Sequence, residues 1–382
     1  MVNSFTKTTR TGYGSRILAS ITGVIFGVVL FIGSFALLYW NEGRADLSKI
    51  AVTAIDISAD VGTAVEGSLV SASGVLSSTE TLGDDYLIAG SYIAVDRTVE
   101  MYSWVEDTET SSTTNTGGSE TTTTTYNYKN EWTEYPSDST KFEYPSDHYN
   151  PPRALESAEK RVSAATVGTY SIDIANVTLP AFSEVSLTEQ NIVLPSVTGM
   201  TASLSGGYIY VGKGAVATPQ VGDLRIKYTV INTGGSVTVF GQLGGGQIST
   251  YKDADNNVLF RIFNATRDEA ITILHAEYVT SLWMLRLLGF VMMWVGMMMI
   301  FAPLSTVLDV LPFLGGVSRF IIGAITFVVA VVFAGVTILV SMVVHSVIAL
   351  VIVAVLAIGS VVMIGKKYAS KKGPSGLKDL VS

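Results

Sequence analysis

The sequence predicts a multi-pass α-helical membrane protein with four transmembrane helices, one N-terminal and three C-terminal, and a large mainly-β extracytoplasmic domain of sandwich or barrel type. Three observations predict it. Four long apolar runs lie at the two ends of the chain, a polar stretch of about 240 residues separates them, and that stretch alternates with the two-residue period of strands.

The first run, Ile17–Trp40, contains no charged residue. As a helix rising about 1.5 Å per residue it exceeds the ~30 Å hydrocarbon core of a bilayer. It is longer than the core of a cleaved signal peptide, and Tyr39-Trp40-Asn41-Glu42 offers no small-x-small cleavage site. The other runs cover Leu282–Pro303, Val317–Val344 and Ser346–Ile364, the last two forming a tight hairpin broken at His345. Lys and Arg near helix ends stay on the cytoplasmic side. Lys7, Arg10 and Arg16 precede the first span, and Lys366, Lys367, Lys371, Lys372 and Lys378 follow the last. The organisation expected is a cytoplasmic tail 1–16, a span 17–40, an extracytoplasmic domain 41–281, a span 282–303, a short cytoplasmic loop 304–316, spans 317–344 and 346–364, and a basic cytoplasmic tail 365–382.

Charge divides the same way. Residues 41–281 hold 14 basic and 30 acidic residues, net −16, while the rest of the chain carries +8. An acidic domain excludes nucleic acid as a partner, since phosphate binding needs a basic face. The lysine tail instead fits the anionic headgroups of a cytoplasmic leaflet, or serves only to set topology. The chain has no cysteine, which removes disulfides, thiolate catalysis and Cys-based metal sites.

Within the polar domain, strand patterns recur at Gly67–Leu76, Tyr86–Trp104, Tyr170–Leu179, Gly207–Val211, Leu224–Val230, Ser236–Gln242 and Val258–Phe263, separated by Gly, Asp and Asn turn signals. Asp46–Ser58 and Arg153–Ala165 read as short helices, the second entered through Pro151-Pro152. Thr108–Thr125 is nearly all Thr, Ser, Gly, Asn and Glu and predicts a flexible hairpin tip. Val99–Glu106 and Tyr126–Trp132 would pair across it. Their aromatics Tyr102, Trp104, Tyr128 and Trp132 are the candidate interaction residues. Two readings stay open for them: cross-strand pairs inside a sheet, or a groove for a peptide, glycan or lipid.

Catalytic templates fail in turn. His148, His275 and His345 lack a His-Glu-x-x-His pair, and no nucleophile elbow, Walker loop or dinucleotide glycine fingerprint occurs. No catalytic residue, metal site or cofactor is therefore expected. The helix cores carry no ionisable group that would mark an ion route. Gly23 and Gly27 form a Gly-x-x-x-Gly step for helix packing within the bundle or between subunits, and the run Met292–Met299 supplies adaptable apolar packing.

The order of several short motifs resembles the transmembrane protein 43 family, also called LUMA. These are Asn41-Glu42-Gly43-Arg44, Glu100-Met101-Tyr102-Ser103-Trp104, Tyr126-Asn127-Tyr128-Lys129-Asn130-Glu131-Trp132, Asn150-Pro151-Pro152, Val221-Gly222-Asp223-Leu224-Arg225 and Leu308-Asp309-Val310-Leu311-Pro312. The likeness is collinear over nearly the whole chain. It implies a membrane-organising protein that oligomerises; animal members reside in the endoplasmic reticulum and inner nuclear membrane and associate with emerin and lamins. The absence of Cys and the Thr, Gly and Val content suit a prokaryotic member, for which the domain would be periplasmic and the membrane the plasma membrane. The motif residues also have a physical reading. Glu42 and Arg44 would pair at the bilayer exit around a sharp turn at Gly43, Asp223 would bond backbone amides at a turn before Arg225, and Asp309 would cap or latch the inner loop ahead of Pro312. The expected function is a non-enzymatic, self-associating scaffold that binds membrane proteins or lipids. The alternatives are a ligand-sensing module built on the aromatic strands around 99–149 and a membrane-bound hydrolase.

Overall fold

A computed structural model of the chain describes residues 3–58, 64–195, 199–310 and 312–346, with Val351 and Val355. The chain forms two compact units. One comprises Met1–Arg10, Asp46–Thr113 and Thr121–Tyr278, the other Thr11–Ala45, Thr114–Glu120 and Val279–Ser382.

The first unit is β-rich and contains two main sheets. In one, β1 (Ser4–Thr11) lies at the edge, followed in space by β4 (Glu120–Thr133), β3 (Tyr92–Thr114), β6 (Leu224–Asn232), β5 (Tyr208–Val211) and the strand Ala202–Ser205. The sequence Leu-Arg-Ile-Lys-Tyr-Thr-Val of β6 alternates as a half-buried strand should. Leu224, Ile226, Tyr228 and Val230 meet Val95, Val99 and Met101 of β3 in one core. The second sheet closes on itself. β7 (Ser236–Gly244) pairs both with β2 (Leu69–Ser77) and with Gln247–Ser249, and the strands Tyr170–Ile172 and Ala165–Val167 complete the ring. Val70, Ala72, Val167, Ile172, Val239 and Ile248 fill this small barrel. The barrel-like, mainly-β expectation agrees with this arrangement.

Several expectations change. Residues 153–165 contain no helix: Ala158–Arg161 pairs with β3 at Ala94–Arg97, because tertiary strand pairing overrides a weak helical pattern. Of 46–58 only α2 (Leu47–Val52) is helical, capped by Asp46, and Ile55–Asp56 joins β2 as a strand. The tip 108–125 is not a free loop. β3 runs to Thr114, β4 begins at Glu120, and Ser112 bonds Thr122 across the hairpin. Thr is β-branched, so this composition suits an extended ribbon. Residues 1–16 are not a simple tail either. The sequence assigns them to the face opposite 41–281, yet β1 is bonded into the same sheet as β4: the Asn3 carbonyl accepts from the Tyr128 amide, and Ser4 donates to Asn127. Counting basic residues does not register that Ser-Phe-Thr-Lys-Thr-Thr-Arg-Thr is rich in β-branched Thr, which suits a strand.

The second unit is helical. α1 (Tyr13–Glu42), α3 (Arg267–Leu308, whose first turns belong to the β-rich unit) and α4 (Pro312–Val344) are the three helices, among the described residues, long and apolar enough to cross a membrane. The fourth run, 346–364, and the basic tail, 365–382, lie outside the described residues apart from Ser346, Val351 and Val355. α3 starts fifteen residues before Leu282, where the Glu269 carboxylate accepts from the amide and the hydroxyl of Thr266, and Ala270 and Leu274 are buried with Phe240 and Phe263. The loop 304–316 shrinks to the three residues between α3 and α4, with Pro312 as the first residue of α4.

Leu38, Met293, Met297, Ala330 and Ala334 form the bundle core. Gly27 packs on α3 so closely that an added Cβ would lie 2.7 Å from the Gly296 carbonyl oxygen and 2.8 Å from Met299 Cβ, whereas at Gly23 the nearest atom is 4.0 Å away. The step therefore packs inside the bundle. Gly27→Val is expected to lower the melting temperature of the purified protein markedly, as overpacking costs about 1–3 kcal/mol. Gly23→Ala should leave it unchanged. Circular dichroism melts of the two variants check the contrast, and equal melting temperatures would refute it.

Candidate functional site

The motif residues gather into polar joints. In the helical unit, the first joint forms at the N-terminal end of α1. Arg16 donates to Asp309 at 2.5 Å and to the Gly118 carbonyl, and its Nε lies 2.9 Å from Glu120. Arg319 of α4 reaches the other Asp309 oxygen at 2.8 Å and Thr114 at 3.1 Å. The amide of Gly117 donates to the Val310 carbonyl, and Tyr13 donates to that of Val307. Asp309, fully buried, thus ties α1, α4 and the hairpin tip together. The latch expected for Asp309 takes this form; its partners on α1 and the hairpin were not legible from one sequence.

The second joint lies at the C-terminal end of α1. Glu42 pairs with Arg286 through two bonds of 2.7 Å, not with Arg44. Arg44 turns to Asn41, and buried Asn41 donates to the Leu282 carbonyl. Gly43 has an ordinary right-handed helical conformation, φ −88°, so it is not there for a sharp turn. It makes room for His345, whose Nε2 would lie 2.5 Å from a Cβ at that position. His345 also packs on Tyr39 and bonds Ser341. His275, in the other unit, sits 3.0 Å from Asp46. Among the described residues no group of three His, Asp or Glu is placed to hold a metal.

In the β-rich unit, Glu100 on β3 faces Arg225 on β6 at 2.6 Å. The guanidinium lies between the rings of Trp132 and Tyr208, 4.8 and 4.7 Å from their centroids. Asp223 bonds backbone amides at the turn before Arg225, as expected. Its carboxylate accepts from the amides of Lys213, Gly214 and Gln220 and from the Tyr210 hydroxyl. Gly222, at φ +97°, provides the left-handed residue this turn needs. Burial, then the Asp223 carboxylate, raises the Tyr210 pKa, so this phenol stays a donor.

The aromatic candidates are engaged with one another. Tyr128 is buried and stacked on His148, Trp104 meets the His148 ring edge-on, and Tyr102 packs on Trp132. Asn150 of Asn-Pro-Pro binds both the amide and the carbonyl of Trp104, completing the edge of β3 as another strand would. Beside it an open cleft of about 330 Å³ is lined by Pro136, Asp138, Tyr149, Pro152 and Arg153, among others.

One joint escaped the sequence reading. Asp84 accepts from Tyr228 at 2.7 Å, from the amides of Tyr86 and Leu87, and from Arg97 at 2.7 Å. Burial pushes its carboxyl up, but these donors outweigh it and hold the pKa below the ordinary value. Asp84 stands in the turn signal Gly83-Asp84-Asp85, where only the Asp and Arg types hint at a buried pair.

Long apolar helices that carry a β-rich polar domain define an integral membrane protein. The family is specific: the model for Transmembrane protein 43 matches residues 101–347, and the chain belongs to that family. A fruit-fly Transmembrane protein 43 homolog is 31% identical over 241 residues, 59% of this chain and 62% of its own length. The mouse and human Transmembrane protein 43 proteins are each 26% identical, over 322 and 323 residues, covering 79% of both chains. No solved structure matches.

Proposed function

We propose that the chain is a non-enzymatic membrane scaffold that self-associates and holds other membrane proteins or lipids. One observation carries this reading. The family's charged motif residues Glu42, Glu100, Asp223, Arg225 and Asp309 are all engaged in internal joints that brace strands and helices, leaving the outer surfaces for assembly. The lysines of 366–378 would add contact with anionic headgroups at the cytoplasmic leaflet. The test is the mass of the full-length protein in lipid nanodiscs, by light scattering corrected for bound amphiphile, across a dilution series. A discrete multimer that persists on dilution is expected, and a monomer throughout would refute self-association. A second reading, a ligand-binding module, is favoured only by the cleft beside Tyr149, and a gain in melting temperature with a peptide or glycan would support it.

A further inference from the structure

The interior of the β-rich unit holds one histidine that the joints do not use. His148 is 1% exposed. Its ring stacks on Tyr128 at 3.8 Å with the planes 15° apart, and it meets Trp104 and Phe5 edge-on at 4.8 and 6.2 Å. Nδ1 lies 2.8 Å from the Tyr144 carbonyl, so the neutral ring carries its proton there and donates it. Nε2 is buried without a hydrogen-bond partner. Phe5 comes from β1. It also stacks on Tyr144 at 4.3 Å, so the aromatic cage around His148 is the seat of the N-terminal strand.

We propose that His148 is a pH-sensitive clasp for β1: the neutral imidazole closes the cage around Phe5, and its protonation releases the strand. Protonation places a second N–H and a full charge at Nε2, where no acceptor stands. The faces of Tyr128 and Trp104 attract a cation but accept no conventional hydrogen bond. The charged groups around the cage already have partners. Glu106 accepts from the Tyr128 hydroxyl and the Glu143 amide, while Glu143 pairs with Lys7 of β1 at 2.5 Å. On the neighbouring loop, Lys141 pairs with Asp138 and Asp147 is exposed. Satisfying the new N–H therefore requires water to enter, and water enters by displacing Phe5. Acidification, by protonating the imidazole, would operate this clasp. The inference does not depend on the scaffold reading.

Native hydrogen exchange of the full-length protein in nanodiscs tests it, through the protection factors of the β1 amides at pH 7.5 and 5.5. The expected result is a loss of protection of at least about tenfold at the lower pH in the unmodified chain. In His148→Phe, which keeps an apolar ring and cannot titrate, protection should be equal at both pH values. Phe5→Ala should lose it at both. Unchanged protection in the unmodified chain would overturn the proposal, and this arm needs no variant to fold. The same loss in His148→Phe would overturn it as well.

Discussion

Asp309→Asn is expected to destabilise the helical unit by about 3 kcal/mol, the cost of breaking a buried ion pair from one side. The carboxylate is shared by Arg16, itself largely buried, and by Arg319, which is half exposed. Neutralising it leaves two guanidinium groups near one uncharged side chain, with Glu120, the Gly118 carbonyl and the Thr114 hydroxyl as remaining partners. Arg319→Gln, by contrast, removes the exposed partner and should cost less than about 1 kcal/mol. The order of effects therefore separates a buried keystone from a surface pair. Thermal unfolding in detergent provides the ranking, and limited proteolysis between Thr114 and Glu120 provides the location. Asp309→Asn should expose the tip to cleavage while Arg319→Gln should not. Equal, small effects would mean that the joint is decoration.

Asp84→Asn should be at least as damaging to the β-rich unit, by about 3–5 kcal/mol, because it strands a buried Arg97. Tyr228→Phe removes a single bond to the same carboxylate and should cost about 1 kcal/mol. The pair also makes a statement about acid. The folded-state pKa of Asp84 is depressed, so its contribution is fully present above the unfolded value of about 3.9 and is lost as pH falls through the lower folded value. Denaturant titrations of the unmodified protein should therefore show stability falling as pH drops below about 4, and the fall should be shallower in Asp84→Asn. Parallel acid limbs for the two proteins would contradict this assignment.

Much of the architecture was legible because it is written in periodicity. β6 alternates along most of its length, and α1 carries the uncharged run Ile17–Trp40. What failed was local punctuation that tertiary contact overrules or that was not weighed. The cap Thr266-x-x-Glu269 marks the true start of α3 in plain sequence, yet hydropathy alone begins the helix at Leu282. Pro151-Pro152 suggested a helix where Ala158–Arg161 instead pairs with β3. The Thr-rich stretch suggested a flexible hairpin tip; the hairpin is there, its strands run further into the stretch, to Thr114 and from Glu120, and its turn is bound in the joint at Asp309.

The motif residues were legible as a set but not as partners. Glu42 and Arg44 are neighbours of opposite charge, and nothing in one sequence indicates that Glu42 prefers Arg286, 244 positions away. Glu100 and Arg225 are 125 positions apart, and only the antiparallel register of β3 and β6 brings them together. Asp223 was the exception. A carboxylate in a glycine turn has few roles other than accepting backbone amides, and it accepts three. His148 gave no signal at all, since its proposed role depends on Phe5, 143 positions away in the sequence.

The charged motif residues build internal joints, and the foremost of these holds the hairpin tip against the helix ends. Hydrogen exchange at the Gly117 amide, in full-length protein reconstituted in lipid, tests it most directly. Bonded to the Val310 carbonyl, that amide should exchange far more slowly than a free loop amide, and Asp309→Asn should abolish the protection. Exchange at the free-loop rate in the unmodified chain would contradict the account.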